Sequence, residues 1–172
     1  MSEFAMEKCQ LITLNTGATL AVEVISPAEY CSSSQTLVFV HGLAAQRSVW
    51  RESAAILSQL FGYTCVLVDL RGHGDSSSSA ISFQRNVNNE VIHSTSSFIM
   101  STGMGQERDI KKLFSLVQFA DDLAALVRVL SLPLPAVWIG HSYGGNVCVE
   151  VAARHSGVFS LSFYIHTNAT SA

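Results

Sequence analysis

A short apolar run, Ala136 to Ile139, breaks into Gly140-His141-Ser142-Tyr143-Gly144-Gly145, and a small-residue run with helical character, Asn146 to Arg154, follows without a spacer. Few backbones accept this order. A chain passing from a buried strand into a helix through Gly-x-Ser-x-Gly must turn sharply, and the serine at the tip must take a strained conformation. Bulky side chains two residues before and after it would collide, which accounts for glycine at 140 and 144. The turn leaves the serine Oγ exposed at a helix N-terminus, where N–H groups and the helix dipole favour a developing negative charge. Ser142 is therefore a candidate nucleophile. A plain glycine-rich turn shares the pattern, so other segments must decide between the two.

Two upstream segments do so. His41-Gly42-Leu43 follows the apolar run Thr36 to Val40, and Asp69-Leu-Arg-Gly-His-Gly-Asp-Ser76 follows the run Thr64 to Val68. With Gly140-His-Ser-Tyr-Gly-Gly145, and in this order, the chain resembles the α/β-hydrolase family over roughly residues 8 to 165. The resemblance implies an α/β fold with a mostly parallel, doubly wound sheet. It also implies a nucleophile elbow at Ser142, supported by Gly140, His141 and Gly144. The two donors of the oxyanion hole become the backbone N–H groups of Leu43 and Tyr143, with His41 and Gly42 shaping the loop. In this reading His41 orients the loop and does not catalyse. Asp69, Arg71, His73 and Asp75 form a hydrogen-bonded turn closed by Gly72 and Gly74, not a catalytic cluster.

Taken in order, the chain fits that expectation. Residues 8 to 14 and Thr19 to Ile25 read as strands joined by a tight hairpin at Asn15-Thr-Gly17. The second alternates, so one of its faces is expected to be wet. Thr36 to Val40 and Thr64 to Val68 are continuous apolar strands, the pattern of strands covered on both faces. Between them a helix is expected from about Ser48 to Phe61, with Val49, Ser53, Ile56, Leu57 and Leu60 at helical spacing and Gly62 as the stop. Residues 77–112 lack a sustained period and carry serine runs. They are expected to be a flexible insertion, with a substrate-contacting lid as the other reading. Ser115 to Gln118 is a capping box for a helix whose stripe is Phe119, Leu123, Leu126, Val127 and Leu130. The elbow helix should run from about Tyr143 to His155, burying Val147, Cys148, Val151 and Ala152, and Val158 to Ile165 should be a further strand. Trp50 and Trp138 are expected in the core, and His155 at the end of its helix should complement the dipole.

Composition excludes several function classes. The 172 residues suffice for one domain, and with 48% hydrophobic residues a sizeable core can be buried. A net charge of −3 argues against a nucleic-acid partner, and no apolar run reaches membrane-spanning length. The N-terminus lacks the basic-then-apolar order of a signal peptide. Cys9, Cys31, Cys65 and Cys148 are scattered without metal-ligand spacing, so no metal or cofactor is expected, and a reducing, cytoplasmic setting fits best.

In the resembling family the acid and the histidine follow the nucleophile. Here no Asp or Glu follows Glu150, and the only histidines beyond Ser142 are His155 and His166. Neither role carries over. His166, just past the last expected strand, leaves a Ser142–His166 dyad open. The chain otherwise reads as the first two-thirds of the fold: a fragment, a splice form, a faulty gene prediction or a degenerate paralogue. An apolar strand at the sheet edge implies poor solubility or a protein partner covering it. The expected function is hydrolysis of an ester, thioester or similar small acyl substrate through Ser142, impaired in this chain. The alternative is a non-catalytic ligand- or partner-binding protein of the same fold. A dehalogenase is disfavoured, since that needs a carboxylate where Ser142 stands.

Overall fold

A computed structural model of the chain describes residues 8–27, 35–78 and 112–165. Cys31, His93, His166, the polar tail and nearly all of the expected 77–112 insertion lie outside the described residues.

The hairpin forms as its sequence dictates. Strands β1 (Gln10–Thr13) and β2 (Ala18–Ile25) pair antiparallel with Thr13 opposite Thr19. Gly17 takes a φ of 83°, and the Leu14 N–H donates to the Ala18 carbonyl at 2.8 Å. Strands β3 (Thr36–Val40), β4 (Thr64–Val68), β5 (Ser77–Ser78), β6 (Ala136–His141) and β7 (Phe159–Ile165) complete the sheet. The order is β1-β2-β4-β3-β6-β7, with β5 on the flank of β2. Strands β4, β3, β6 and β7 run parallel, and β2 runs against both β1 and β4. This is the mostly parallel α/β sheet expected from the sequence. Ser77–Ser78, the first two residues of the expected 77–112 insertion, pair with Ala18 and Thr19.

Helices alternate with the parallel strands: α1 (Arg51–Phe61), α2 (Leu116–Val129) and α3 (Tyr143–Arg154). The helix expected from Ser48 divides into a 3-10 turn, Arg47–Trp50, and α1, which Gly62 ends in the left-handed region. Only half of the capping box forms at α2. The Ser115 Oγ accepts from the Gln118 N–H at 3.2 Å, while the Gln118 side chain donates onward to Asp122 at 3.3 Å.

The pleat sorts side chains onto two faces. Val38, Val40, Val66, Val68, Ala136 and Trp138 face α2 and α3, where Phe119, Leu123, Leu126, Val127, Val147, Cys148 and Val151 close the larger core. Leu37, Phe39, Cys65 and Leu67 face α1 in a smaller cluster with Trp50 and Ala54. Strands β3 and β4 are buried along their whole length, as continuous apolar runs require. Helix α1 approaches the sheet through small residues. Ala54 and Ser58 are buried, whereas Val49, Ile56 and Leu60 of the expected helical pattern face out. Ala152 is only half-buried on α3. At the far edge, Leu161, Phe163, Tyr164 and Ile165 of β7 are exposed.

One expectation fails on β2. Its alternation predicts a wet face, yet Glu23 on that face is 3% exposed. Arginines from the 3-10 turn and from the start of α1 cover it. Arg47 Nε donates to Glu23 Oε1 at 2.9 Å, and Arg51 donates to both carboxylate oxygens at 2.7 and 2.5 Å. Periodicity reads a charged residue as solvated and cannot see cations supplied from a distant segment. The Arg51 hydrogen bond is the largest influence on the Glu23 carboxyl. Burial opposes it, the charge of Arg47 assists it, and the pKa falls below the ordinary value. The sign follows from a depressed folded-state pKa. Glu23 contributes fully above its ordinary pKa of 4.5, and the contribution is lost as pH falls below that value. Replacing Glu23 by Ala should lower unfolding free energy at pH 7 by roughly 3 kcal/mol, the low end for a broken buried pair, because Arg47 keeps other partners. Urea denaturation from pH 7 to pH 3 checks this, and the variant should lose less stability over the acid range than the parent.

Candidate active site

The parallel register brings the three sequence motifs together. Val40 lies opposite both Val68 and Gly140, so β3, β4 and β6 end side by side. The segments starting at His41, Asp69 and His141 therefore leave the same edge of the sheet. From β3 the chain passes through α1 to β4 on one side, while β6 lies on the other. The crevice between β3 and β6 is thus a topological switch point, where open α/β sheets bind ligands.

Ser142 stands there as the N-cap of α3, with φ 50° and ψ −116°. A non-glycine residue pays for this conformation in strain, so neighbours must hold it. The Ser142 N–H donates to the Ile165 carbonyl at 3.0 Å, and the Ser142 carbonyl accepts from the Gly145 N–H at 2.9 Å. The flanking glycines have the steric reason read from the sequence. A Cβ on Gly140 would sit 2.6 Å from Gly144 backbone atoms, and one on Gly144 would sit 2.4 Å from the Val40 carbonyl oxygen. Ser142 Oγ has no hydrogen-bond partner among the described residues, and its side chain is half-buried.

Two backbone donors share this end of the sheet. Tyr143 opens α3, so its N–H is one of the helix's first, unsatisfied donors. Leu43 lies in a turn closed by the Ala45 N–H donating to the Gly42 carbonyl at 3.2 Å, which leaves the Leu43 N–H without a backbone partner among the described residues. Gly42 packs against the elbow itself, since a Cβ there would lie 2.9 Å from His141 Nδ1. The Tyr143 ring meets Phe119 of α2 edge-on at 6.0 Å, and burial raises its hydroxyl pKa.

His41 is fully buried, and both ring nitrogens are engaged. The Leu70 N–H donates to Nε2 at 3.0 Å, so the proton sits on Nδ1, which donates to the Gly42 carbonyl at 2.7 Å. Burial is the main cause of its lowered pKa. It ties the loop after β3 to the turn after β4. That turn is the hydrogen-bonded structure expected. Asp69 accepts from the Asp75 N–H at 2.9 Å, and Gly72 and Gly74 take φ values of 71° and 50°. Arg71 reaches across to Asp122 of α2 with a two-pronged pair at 2.8 and 2.7 Å. His73 packs near His41, with ring centroids 5.2 Å apart.

The other histidines are placed away from the elbow or outside view. His155 is the C-cap at the far end of α3, about 20 Å along the helix from Ser142 at 1.5 Å per residue. It bonds Asp121 of α2 at 2.7 Å, a partner beyond the expected dipole role. Glu150 lies within α3 and faces Arg154 at 3.9 Å. Of His166 only the approach is described: Ile165 pairs with His141. Among the described residues no cluster of His, Cys, Asp or Glu could hold a metal ion. Cys65 and Cys148 are buried thiols whose pKa burial pushes up to about 12.

Sequence reading missed Arg47, Asp122 and Tyr164. Arg47 is 5% exposed and joins Glu23 to Asp69 and Asp75. The sequence signal was a pair of arginines, Arg47 and Arg51, four residues apart in a chain with only 13% charged residues. Asp122 directly follows Asp121, and nothing local separates the buried acid from its half-buried neighbour. Tyr164 covers Gly145 so closely that a Cβ there would lie 1.9 Å from the ring, a contact between segments that no local pattern encodes.

The sequence profile of the alpha/beta hydrolase fold matches residues 35–160. No curated protein sequence is similar enough to count as a match. Among solved structures, a candidate acyltransferase from Salmonella enterica superposes with a TM-score of 0.64 at 23% identity, over 91% of this chain and 40% of that one. A candidate lipase from Acinetobacter baumannii gives 0.63 at 19% identity, over 93% and 42%. A laboratory-evolved variant of potato epoxide hydrolase gives 0.65 at 16% identity, over 96% and 42%. The chain thus spans about two fifths of the length of these structures, less than the two-thirds expected from motif order. Motif order counts shared core strands, whereas these shares count every residue of the longer proteins. No described helix is long and apolar enough to cross a membrane. With the profile match covering most of its length and the sheet order to match, the chain belongs to the α/β-hydrolase fold family.

Proposed function

We propose that this chain is the nucleophile-bearing part of a serine hydrolase that acts on an ester, thioester or similar small carbonyl substrate. The observation that carries the reading is Ser142, held at φ 50° on the helix N-cap at the end of the sheet where the Leu43 and Tyr143 N–H groups have no backbone partner among the described residues. In this reading Ser142 Oγ attacks the carbonyl carbon and a C–O bond forms. The electron pair moves to the carbonyl oxygen, and the Leu43 and Tyr143 N–H groups receive that charge. The serine proton must pass to a base. His41, with both nitrogens engaged, and His155, at the far end of α3, do not suit that role. His166, following the strand that bonds the Ser142 N–H, is the candidate this chain offers. A serine at the elbow favours acyl transfer over chemistry that needs a carboxylate nucleophile.

The whole chain, 1–172, is read as part of one hydrolase domain with an insertion at 77–112, in a reducing, cytoplasmic setting suited to the unpaired Cys65 and Cys148. The non-catalytic alternative has one observation in its favour: Ser142 Oγ lacks a base among the described residues. A partner protein covering β7 belongs to both readings, given the exposure of Leu161 and Phe163.

A fluorophosphonate probe should label the protein, and Ser142→Ala should abolish labelling. Labelling that survives that change, or none at all in the parent, supports the binding-protein alternative. His166→Ala should slow labelling on the order of 100-fold if His166 is the base, within the usual range for general-base catalysis. Ser142→Gly should raise unfolding free energy by about 1 kcal/mol, because glycine relieves the strain at some entropic cost. Sedimentation should show self-association or partner-bound material, and a monodisperse monomer would remove the partner from the reading.

A further inference from the structure

The loop that carries Leu43 is poorly equipped to hold its own shape. Ala44, the residue after Leu43, has a φ of 58°, at the third position of the turn from Gly42 to Ala45. Turns with positive φ at that position favour glycine, so an alanine there needs outside support. The turn has one internal backbone bond, Ala45 N–H to the Gly42 carbonyl at 3.2 Å. Its support comes from the turn after β4, at both ends. At the near end His41 Nε2 accepts from the Leu70 N–H. At the far end Arg47 bonds Asp69 twice, through its backbone N–H to Oδ1 at 2.6 Å and through Nη1 to Oδ2. Nη1 also meets Asp75 Oδ2 at 2.9 Å, and Nε meets Glu23 Oε1 at 2.9 Å.

Asp69 cannot yield to the loop. Its carboxylate is fully buried, accepts from the Asp75 N–H, and lies where a Cβ on Gly74 would be, 2.2 Å from Oδ2. The fixed fork of a guanidinium can reach carboxylates on β2 and on the turn together, which a single ammonium cannot. We propose that Arg47 is a positioning residue: by clamping the far end of the loop onto Asp69 it sets where the Leu43 N–H points. The role rests on the serine-hydrolase reading and gives that reading a residue outside the sequence motifs. Arg47 touches no reacting atom. It acts through the strained turn, much as His41 acts from the other end.

The test uses saturation kinetics of fluorophosphonate labelling on the full chain, with Arg47→Ala and Arg47→Lys beside the parent. A misaimed donor should lower the maximal labelling rate by about 10-fold or more, given that losing one such donor costs 100-fold or more. The half-saturation concentration should stay within about twofold, since the probe's ground-state contacts are untouched. Hydrogen exchange should quicken across residues 41–47 while 136–147 keep their protection. Leu126→Ala, a core truncation on α2, serves as a destabilised protein with the clamp intact and should label at the parental rate. Should Arg47→Ala fail to fold, Arg47→Lys supplies both readouts. Parental labelling and unchanged exchange in both variants would overturn the proposal, as would equal slowing in Leu126→Ala. Absence of Ser142 labelling in the parent is a different failure. It would remove the hydrolase reading and with it the donor role of Leu43, whatever exchange showed about the clamp.

Discussion

The parallel register of β3 with its two neighbours is the constraint on which the rest depends. Val40 is opposite Val68 on one side and Gly140 on the other, and this alone brings three segments far apart in sequence to one end of the sheet. The pairing is held by continuous apolar side chains on both faces, which a one-residue slip would turn to the wrong helix layer. The site is therefore a by-product of core packing: α1 on one face and α2 and α3 on the other fix the strands, and the strand ends fix the loops.

The fold was largely legible in sequence because its signals are local. The continuous runs of β3 and β4, the Gly17 hairpin and the Gly62 stop each depend on a few adjacent residues, and each is found where local chemistry puts it. Legibility ends where a partner comes from elsewhere. Glu23 alternates like a solvated residue but is buried under Arg47 and Arg51, which lie beyond the next strand. Helix α1 shows the same limit. Its large apolar residues mark the helical period, yet small Ala54 and Ser58 make the close approach. Hydrophobicity reports what could be buried, and packing distance decides what is.

The candidate site divides along the same line. Gly140 could be assigned from spacing because its reason is the elbow's own backbone, and Gly144 from the same motif, although what it meets is the end of β3. His41 could be given a structural role from its motif, and two engaged nitrogens suit that role. Arg47, Asp122 and Tyr164 could not be found, because each acts across a gap in sequence.

The elbow's strain is supported in three ways, none of which uses the Ser142 side chain. Strand β7 supplies a carbonyl to the Ser142 N–H, α3 supplies the Gly145 N–H to its carbonyl, and the end of β3 closes on Gly144. A residue fixed through its backbone keeps its side chain available, which suits a nucleophile and adds nothing to a merely structural turn. The strained Ala44 loop is arranged likewise, with its contacts at the ends and the Leu43 N–H left without a backbone partner among the described residues. Two neighbouring strained segments, each held from outside and each leaving a polar group without a backbone or capping partner among the described residues, are hard to explain by stability alone. Relaxed backbone with those groups paired would be more stable. Under the proposed serine-hydrolase reading the strain has a use, since it keeps those groups available to a substrate.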